Sequence, residues 1–380
     1  MAVGHDEADS QVVSSGVGVV LEPGNGRVLK RRQLLTLLAL TGAAGCGSAS
    51  SAETPSVQAG GVAPPSVPPS ASPGATARLG PAMTVTSSAA APSASASTVA
   101  SSGLGGAVQA PADRVMLGSY LALGGKSLQQ SLALRRRQLG REQRIVHRFY
   151  PWDGYVPTSE PEVAKSSVLM VSWHGAPYAG ILDGGSDGNI RSVARKLKGM
   201  KRPILLRWGW EMNGDWFEWG GAQNGQSAAN YVKVWRRLHR IFAEQGADNV
   251  SWVWSPNWNS SPGDSWNRVQ GYYPGDDYVD WVGISGYNFF NETPSTLFDP
   301  VTDRFGGKKP IILSETAAVQ GKAKWIKQLH SWVEKTPAVG AVVWFDTDIQ
   351  EGTDHNFRFD TDSAALTAYQ AMARSPRFSG

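Results

Sequence analysis

A (β/α)8 barrel over residues 113–380 is the fold that the sequence predicts, and three observations predict it. Eight short apolar runs recur along this stretch, at 115–118, 144–149, 168–173, 203–208, 250–254, 281–285, 310–314 and 341–345. Runs of that length, bounded by polar segments, read as parallel strands buried on both faces. Segments with helical apolar spacing lie between them, at roughly the 25–45-residue recurrence of a strand–helix unit. Polar and aromatic residues also gather at the carboxyl end of nearly every run, where a barrel places its chemistry. A doubly wound sheet is the alternative, but no Gly-x-Gly-x-x-Gly follows a strand to support it.

Ahead of the barrel the composition is different. Residues 1–46 form an N-terminal extension and export signal. Lys30-Arg31-Arg32 and the apolar run to Leu40 read as a basic n-region and an h-region. The run is too short for a comfortable transmembrane helix. The adjacent arginines resemble a twin-arginine signal. Ala43-Ala44-Gly45-Cys46 resembles a bacterial lipobox, with Cys46 as the lipidated residue; plain secretion with cleavage near Ala49 or Ala52 is the alternative. The protein is therefore expected outside the cell or on its surface, touching a membrane only through a lipid at Cys46. Residues 47–112 are rich in Ala, Ser and Pro, nearly uncharged, and read as a disordered, flexible tether.

Several function classes are disfavoured. The net charge of +4 is not gathered into a basic face interleaved with aromatics, so no nucleic-acid partner is expected. The single cysteine leaves no internal disulfide and no paired-Cys zinc site. His174, His239, His330 and His355 form no close-spaced pairs, so neither a metal nor a cofactor is expected. Asp360–Asp362 reads as solvated charge in preference to a calcium loop. The chain is expected to work as a monomer.

Taken in order, the first run leads to Tyr120, the second to Arg148 and the third to His174. The fourth enters through Pro203 and continues into Arg207-Trp-Gly-Trp-Glu-Met-Asn213, with Trp216 and Trp219 following. A helix at 228–244 carries Tyr231, Val234, Trp235, Leu238, Ile241 and Phe242 at apolar spacing. The fifth run leads to Asn257, the sixth to Tyr287 and Asn288, and the seventh to Glu315. A helix at 323–334 follows, then the eighth run with Trp344 and Asp346. A last helix spans 363–373 with Ser363 as its N-cap.

Glu211 and Glu315 end strands four and seven. Side chains alternate along a strand. Regular alternation sets Leu205, Arg207, Gly209 and Glu211 on one face, turns Trp208 and Trp210 toward the helices, and groups Glu315 with Ile311 and Leu313. Trp216, Trp219 and Trp344 are then the aromatics expected at the mouth, where indole faces stack on sugar rings. Two carboxylates converging across a barrel mouth suit glycoside hydrolysis: one protonates the leaving oxygen, and the other attacks the anomeric carbon or activates water. A helix-capping role for Glu315-Thr316 is the alternative. Asp215, Glu218 and Asp346 read as rim residues for sugar hydroxyls. The chemistry needs Glu211 protonated near neutrality, favoured by burial among indoles, and Glu315 ionised, favoured by Arg207 or Arg148.

Arg207-Trp-Gly-Trp-Glu-Met-Asn-Gly-Asp-Trp-Phe217, followed by Ile311-Ile-Leu-Ser-Glu-Thr316, resembles glycoside hydrolase family 26 over roughly residues 113–374. That family consists mainly of endo-β-1,4-mannanases, with mixed-linkage β-glucanases and xylanases, on a retaining (β/α)8 scaffold. The resemblance implies Glu211 as acid/base and Glu315 as nucleophile. It implies Arg207 as a residue holding substrate and carboxylates, Trp216 as an aromatic subsite and Tyr287 as the hydrogen-bond donor to the nucleophile. It further implies Trp344 as the indole under the sugar at the cleavage point and His174 as a glycone-side residue; a structural histidine is the alternative for His174. Asn213 and Trp219 complete the expected substrate-binding set. One residue departs from the pattern: family mannanases carry His before the acid, and here it is Trp210. The expected function is an exported retaining endo-β-glycanase cleaving β-1,4-mannan-type polysaccharide. The alternatives are a β-1,3-1,4- or β-1,4-glucanase or a xylanase on the same scaffold, and a non-catalytic cell-surface polysaccharide-binding protein.

Overall fold

The computed structural model describes residues 108–348 and 355–380. Cys46, the export signal and all but the last few residues of the tether lie outside the described residues. Eight parallel strands close a barrel in chain order: β1 (Met116–Ala122), β2 (Ile145–Tyr150), β3 (Val168–Trp173), β4 (Ile204–Trp208), β5 (Val250–Trp254), β6 (Trp281–Asn288), β7 (Ile311–Ala318) and β8 (Val339–Thr347). All eight coincide with the apolar runs. Helices α1 (Leu128–Leu139), α2 (Tyr178–Leu182), α3 (Asp187–Gly199), α4 (Ala228–Glu244), α5 (Pro294–Phe305), α6 (Lys322–Glu334) and α7 (Ser363–Arg374) accompany them.

Two crossovers carry no α-helix. The β2–β3 link is irregular, and the β5–β6 link holds only short 3-10 turns. Both are punctuated by helix breakers, Pro151, Pro157 and Pro161 in the first and Pro256, Pro262 and Pro274 in the second. Elsewhere the local signals agree with the fold. Ser127 and Gln130 form a reciprocal capping box at the start of α1. The α4 stripe of Tyr231, Val234, Trp235, Leu238, Ile241 and Phe242 is wholly buried, and each such side chain is worth about 1.5–3 kcal/mol of burial. The N-cap of α7 is Asp362 and not Ser363: the Asp362 carboxylate accepts from the Ala365 amide at 2.8 Å.

Inside the barrel, Met116, Ile145, Val168, Met170, Leu205, Val253, Trp281, Ile312, Ala341 and Val343 form a separate apolar core. Val108 closes its amino-terminal end, donating its amide to Ser251 and accepting from the Trp281 indole, both at 3.0 Å. The polar layer described below stands on this floor.

Asp346 is not a rim residue. It lies on the outer face of β8, fully buried, and Arg135 of α1 grips both of its oxygens at 2.6 and 2.7 Å. Burial pushes its carboxyl up to about 6 against the pull of Arg135. Asp360 joins the same guanidinium and also pairs with Arg358, so it is a bound partner and not solvated charge. Removing one partner of such a pair leaves a buried charge uncompensated. Arg135→Met is therefore expected to lower stability by about 3–5 kcal/mol, read as a fall in the denaturation midpoint. An Arg135→Met variant as stable as the wild type would refute this assignment.

Candidate active site

The polar layer above the barrel floor is centred on Arg207, which points inward from β4 and has no solvent exposure. Arginine only donates, and nearly every donor here has a partner. Nε meets Ser255 Oγ at 2.9 Å, Nη1 meets Ser172 Oγ at 3.2 Å and also Glu315 Oε1, and Nη2 meets Ser285 Oγ at 2.5 Å. Four strands thus supply acceptors to one cation: β3, β6 and β7, and the end of β5. Further out, Ser172 meets His147 Nε2 at 2.6 Å and Ser255 meets Ser314 at 2.7 Å. His147 is fully buried, and burial with the nearby Arg207 charge pushes its pKa well below the ordinary histidine value, so it is neutral.

Glu315 reaches this layer through an irregularity that simple alternation does not foresee. Ile311 and Leu313 pack outward among the helix-facing residues, and strict alternation would send Glu315 with them. The β6–β7 register instead jumps from Ile284 opposite Leu313 to Ser285 opposite Glu315, and the β7–β8 register shifts in the same stretch. The extra residue is Ser314, and the bulge turns Glu315 into the mouth. Bulges often re-aim a side chain beside an active site. There Glu315 is ion-paired with Arg207 and accepts from the Tyr287 hydroxyl. Burial first, and Glu315 second, push the Tyr287 phenol well above its ordinary value, which keeps it a donor.

Glu211 arrives by a second irregularity. Strand β4 ends at Trp208, and Gly209 and Glu211 both take left-handed backbone, with φ of 49° and 53°. Glycine adopts this freely, whereas a glutamate does so at a cost. Two backbone bonds hold Glu211 there: its amide donates to the Ser255 carbonyl at 2.8 Å, and its carbonyl accepts from Gly214 at 2.9 Å. Its Oε2 accepts from the Trp216 indole at 2.9 Å. A side chain at Gly214 would press its Cβ to 2.4 Å from that indole, so the glycine makes room for it. Burial, and next the charge of Glu315, raise the Glu211 carboxyl to about 7.

The sequence-predicted residues divide accordingly. Arg207, Glu211, Glu315, Tyr287 and Trp216 come together. His174 stands half-buried at the end of β3, against Trp210 and Trp219 with ring centroids 5.2 and 5.4 Å away. Three others are placed differently. Trp344 faces outward from β8 with no exposure, packed on Trp325 and Tyr369, and donates to the Phe357 carbonyl; the inward neighbour is Phe345. Trp219 is 4% exposed and donates to the Trp210 carbonyl, so it supports the mouth from behind. Asn213 is fully buried, and both ends of its amide bond the Asn257 backbone, so it ties the β4 loop to the β5 loop. Trp210 also corrects its expected orientation. The turn at Gly209 brings it over the mouth, 5.0 Å above the Arg207 guanidinium and against Phe149. Arg148 pairs outward with Glu160, so Arg207 is the cation on Glu315.

Sequence reasoning missed the serine layer and the phenylalanines of the mouth. Tyr120, Phe149 and Phe345 pack together on one side, and Phe289 and the half-exposed Phe290 extend outward from Tyr287. Phe149 and Phe345 were legible as the last residues of the second and eighth apolar runs, and Phe289 as the residue after Asn288, each beside a residue already named.

Residues 172–359 match the family model described as glycosyl hydrolase family 26. The chain is 33% identical over 254 residues to Endoglucanase H of Acetivibrio thermocellus, covering 61% of this chain and 27% of that protein. It is 33% identical over 125 residues to mannan endo-1,4-beta-mannosidase A and B of Caldalkalibacillus mannanilyticus, covering 32% of this chain and 23% of that protein. The chain thus spans about a quarter of the length of these relatives. Its fold is similar to that of a GH26 beta-mannanase from Bacteroides ovatus, with a TM-score of 0.56 and 18% identity over 72% of this chain and 92% of that one.

Proposed function

Because the chain belongs to glycoside hydrolase family 26, we propose that it is a retaining endo-β-glycanase in which Glu315 is the nucleophile and Glu211 the acid/base. The observation that carries this reading is the inequality of the two carboxylates. Glu211 is held up to about 7 by burial beside Glu315, while Glu315 is ion-paired with Arg207 and bonded by Tyr287. In the first step Glu315 attacks the anomeric carbon while Glu211 gives its proton to the departing glycosidic oxygen. In the second, Glu211, now a carboxylate, takes a proton from water, which displaces Glu315 from the sugar. The configuration is retained because each displacement inverts it.

For the substrate, β-glucan is favoured over the β-1,4-mannan of the sequence-based expectation. The alignment with the endoglucanase runs 254 residues, about twice that with the mannanase, and Trp210 stands where mannanases of the family carry His. Mannan is the second reading, supported by the mannanase relative. A panel of mixed-linkage glucan, mannan and xylan separates them by kcat/KM and product length. The expected result is highest kcat/KM on glucan with several oligosaccharide lengths released early. Preference for mannan would reverse the substrate order, and binding without product over a long incubation would overturn the enzyme reading. The export reading rests on the basic and apolar stretch at 30–40 and on Cys46; the mass of the mature amino terminus tests it.

A further inference from the structure

We infer that His147 is a positioning residue for the nucleophile: it takes the Ser172 proton and so fixes the Ser172 oxygen as an acceptor for Arg207. The inference rests on the functional reading above and reaches behind Glu315 through Arg207 and Ser172.

Donors and acceptors decide the direction of each bond. Arg207 has only protons to give. Its Nη1 gives one to Glu315 Oε1 and one to Ser172 Oγ, the latter at 3.2 Å. Ser172 sits opposite Arg207 in the β3–β4 register, and His147 Nε2 lies 2.6 Å from its oxygen. The Ser172 hydroxyl therefore accepts from Arg207, and His147 Nε2 is the acceptor within reach of its own proton. Two neutral tautomers of His147 exist, and they differ in how many polar groups they strand. With the proton on Nε2, the Ser172 proton has no acceptor and the bare Nδ1 has no donor. With the proton on Nδ1, only that N–H is unpaired, because Nδ1 has no hydrogen-bond partner among the described residues. The second arrangement strands one group where the first strands two, so the count selects the proton on Nδ1.

The surroundings make a histidine here costly. His147 lies on β2 two residues beyond Ile145 of the barrel floor, fully buried, with ring centroids of Phe149 and Tyr120 at 4.3 and 5.9 Å. A buried, unpaired N–H among such rings is unfavourable, so packing alone would favour an apolar side chain. What the imidazole supplies is an acceptor. Burial and the Arg207 charge keep it neutral, so Nε2 stays free to accept. With the Ser172 proton drawn to His147, the Ser172 lone pairs face Arg207. The guanidinium is a rigid planar fork, so seating one N–H of Nη1 on Ser172 aims the other at Glu315.

Side-chain nitrogen NMR of the full chain, with the His147 signals identified by their loss in His147→Gln, reads the tautomer directly. The expected result is Nδ1 protonated and Nε2 bare, unchanged between about pH 5 and pH 8. A proton on Nε2, alone or in an imidazolium, would overturn the inference. Kinetics supplies the functional readout. His147→Phe keeps a ring and removes the acceptor. It is expected to slow kcat on polysaccharide, and labelling of Glu315 by an activated 2-deoxy-2-fluoro glycoside, by about 10–10²-fold, with KM nearly unchanged. His147→Gln, whose amide oxygen accepts the Ser172 proton, is expected to stay within a few-fold of the wild type. Equal losses in both variants, or no loss in His147→Phe, would overturn the positioning role. The tautomer is read on the unmutated ring, so the inference stays testable if His147→Phe does not fold. Turnover that survives Glu315→Gln would instead overturn the nucleophile assignment.

Discussion

Glu211→Gln is expected to lower kcat/KM on polysaccharide by about 10²–10⁴-fold and to abolish the alkaline limb of its pH profile. In the wild type that limb should lie near 7, because burial and the Glu315 charge hold the Glu211 proton to about that value. Below it the acid is ready to donate; above it the proton is gone, and activity falls as pH rises. An aryl glycoside with a good leaving group needs no proton, so its glycosylation step should be largely spared in the variant. Stability carries the same signature. The unfolded carboxyl titrates near 4.5 and the folded one near 7, so between these values the folded chain holds a proton that the unfolded chain releases. Wild-type stability then falls with rising pH across that window. The glutamine variant does not titrate there and should gain on the wild type by about 1–3 kcal/mol between pH 5 and pH 8. Parallel denaturation curves at both pH values check the sign.

Arg207→Met is expected to cost about 3–5 kcal/mol in stability and at least about 10²-fold in kcat. Glu315 would remain 5% exposed without its cation, and the hydroxyls of Ser172, Ser255 and Ser285 would lose their common donor. Part of the stability loss should return in Arg207→Met with Glu315→Gln, because the stranded charge is then gone; a double-mutant cycle isolates that coupling. Arg207→Lys should fall between, since one ammonium cannot reach partners on four strands with the geometry of a planar fork. Additive effects in the cycle would contradict a direct ion pair at the centre of the site.

The strands were legible because barrel strands are buried on both faces and read as plain apolar runs. The two glutamates were legible because a carboxylate at the end of such a run stands out. Which way each side chain points was less legible. Alternation correctly turned Arg207 inward and Trp208 outward, since β4 is regular that far. It failed at Trp210, where left-handed backbone at Gly209 resets the direction, and at Glu315, where the β7 bulge supplies one extra residue. Trp344 was misplaced for the opposite reason: β8 is regular there, and parity with Val343 would have turned the indole outward. The serine layer had a signal of its own. Ser172, Ser255, Ser285 and Ser314 each sit at or just past the carboxyl end of an apolar run, where a small hydroxyl has no packing role. Asn213 and Trp219 looked like ligand contacts by proximity to Glu211, and only the hydrogen-bond partners of each reveal that they hold loops.

The central claim is that Glu315 forms the covalent bond to the sugar. Incubation with an activated 2-deoxy-2-fluoro glycoside, whose fluorine slows release of the intermediate, followed by intact-mass measurement and peptide mapping, tests it most directly. The account predicts one glycosyl unit per chain, attached at Glu315 and lost on Glu315→Gln substitution. An unlabelled, fully active chain whose products show inverted anomeric configuration, or a label on any other residue, would contradict it.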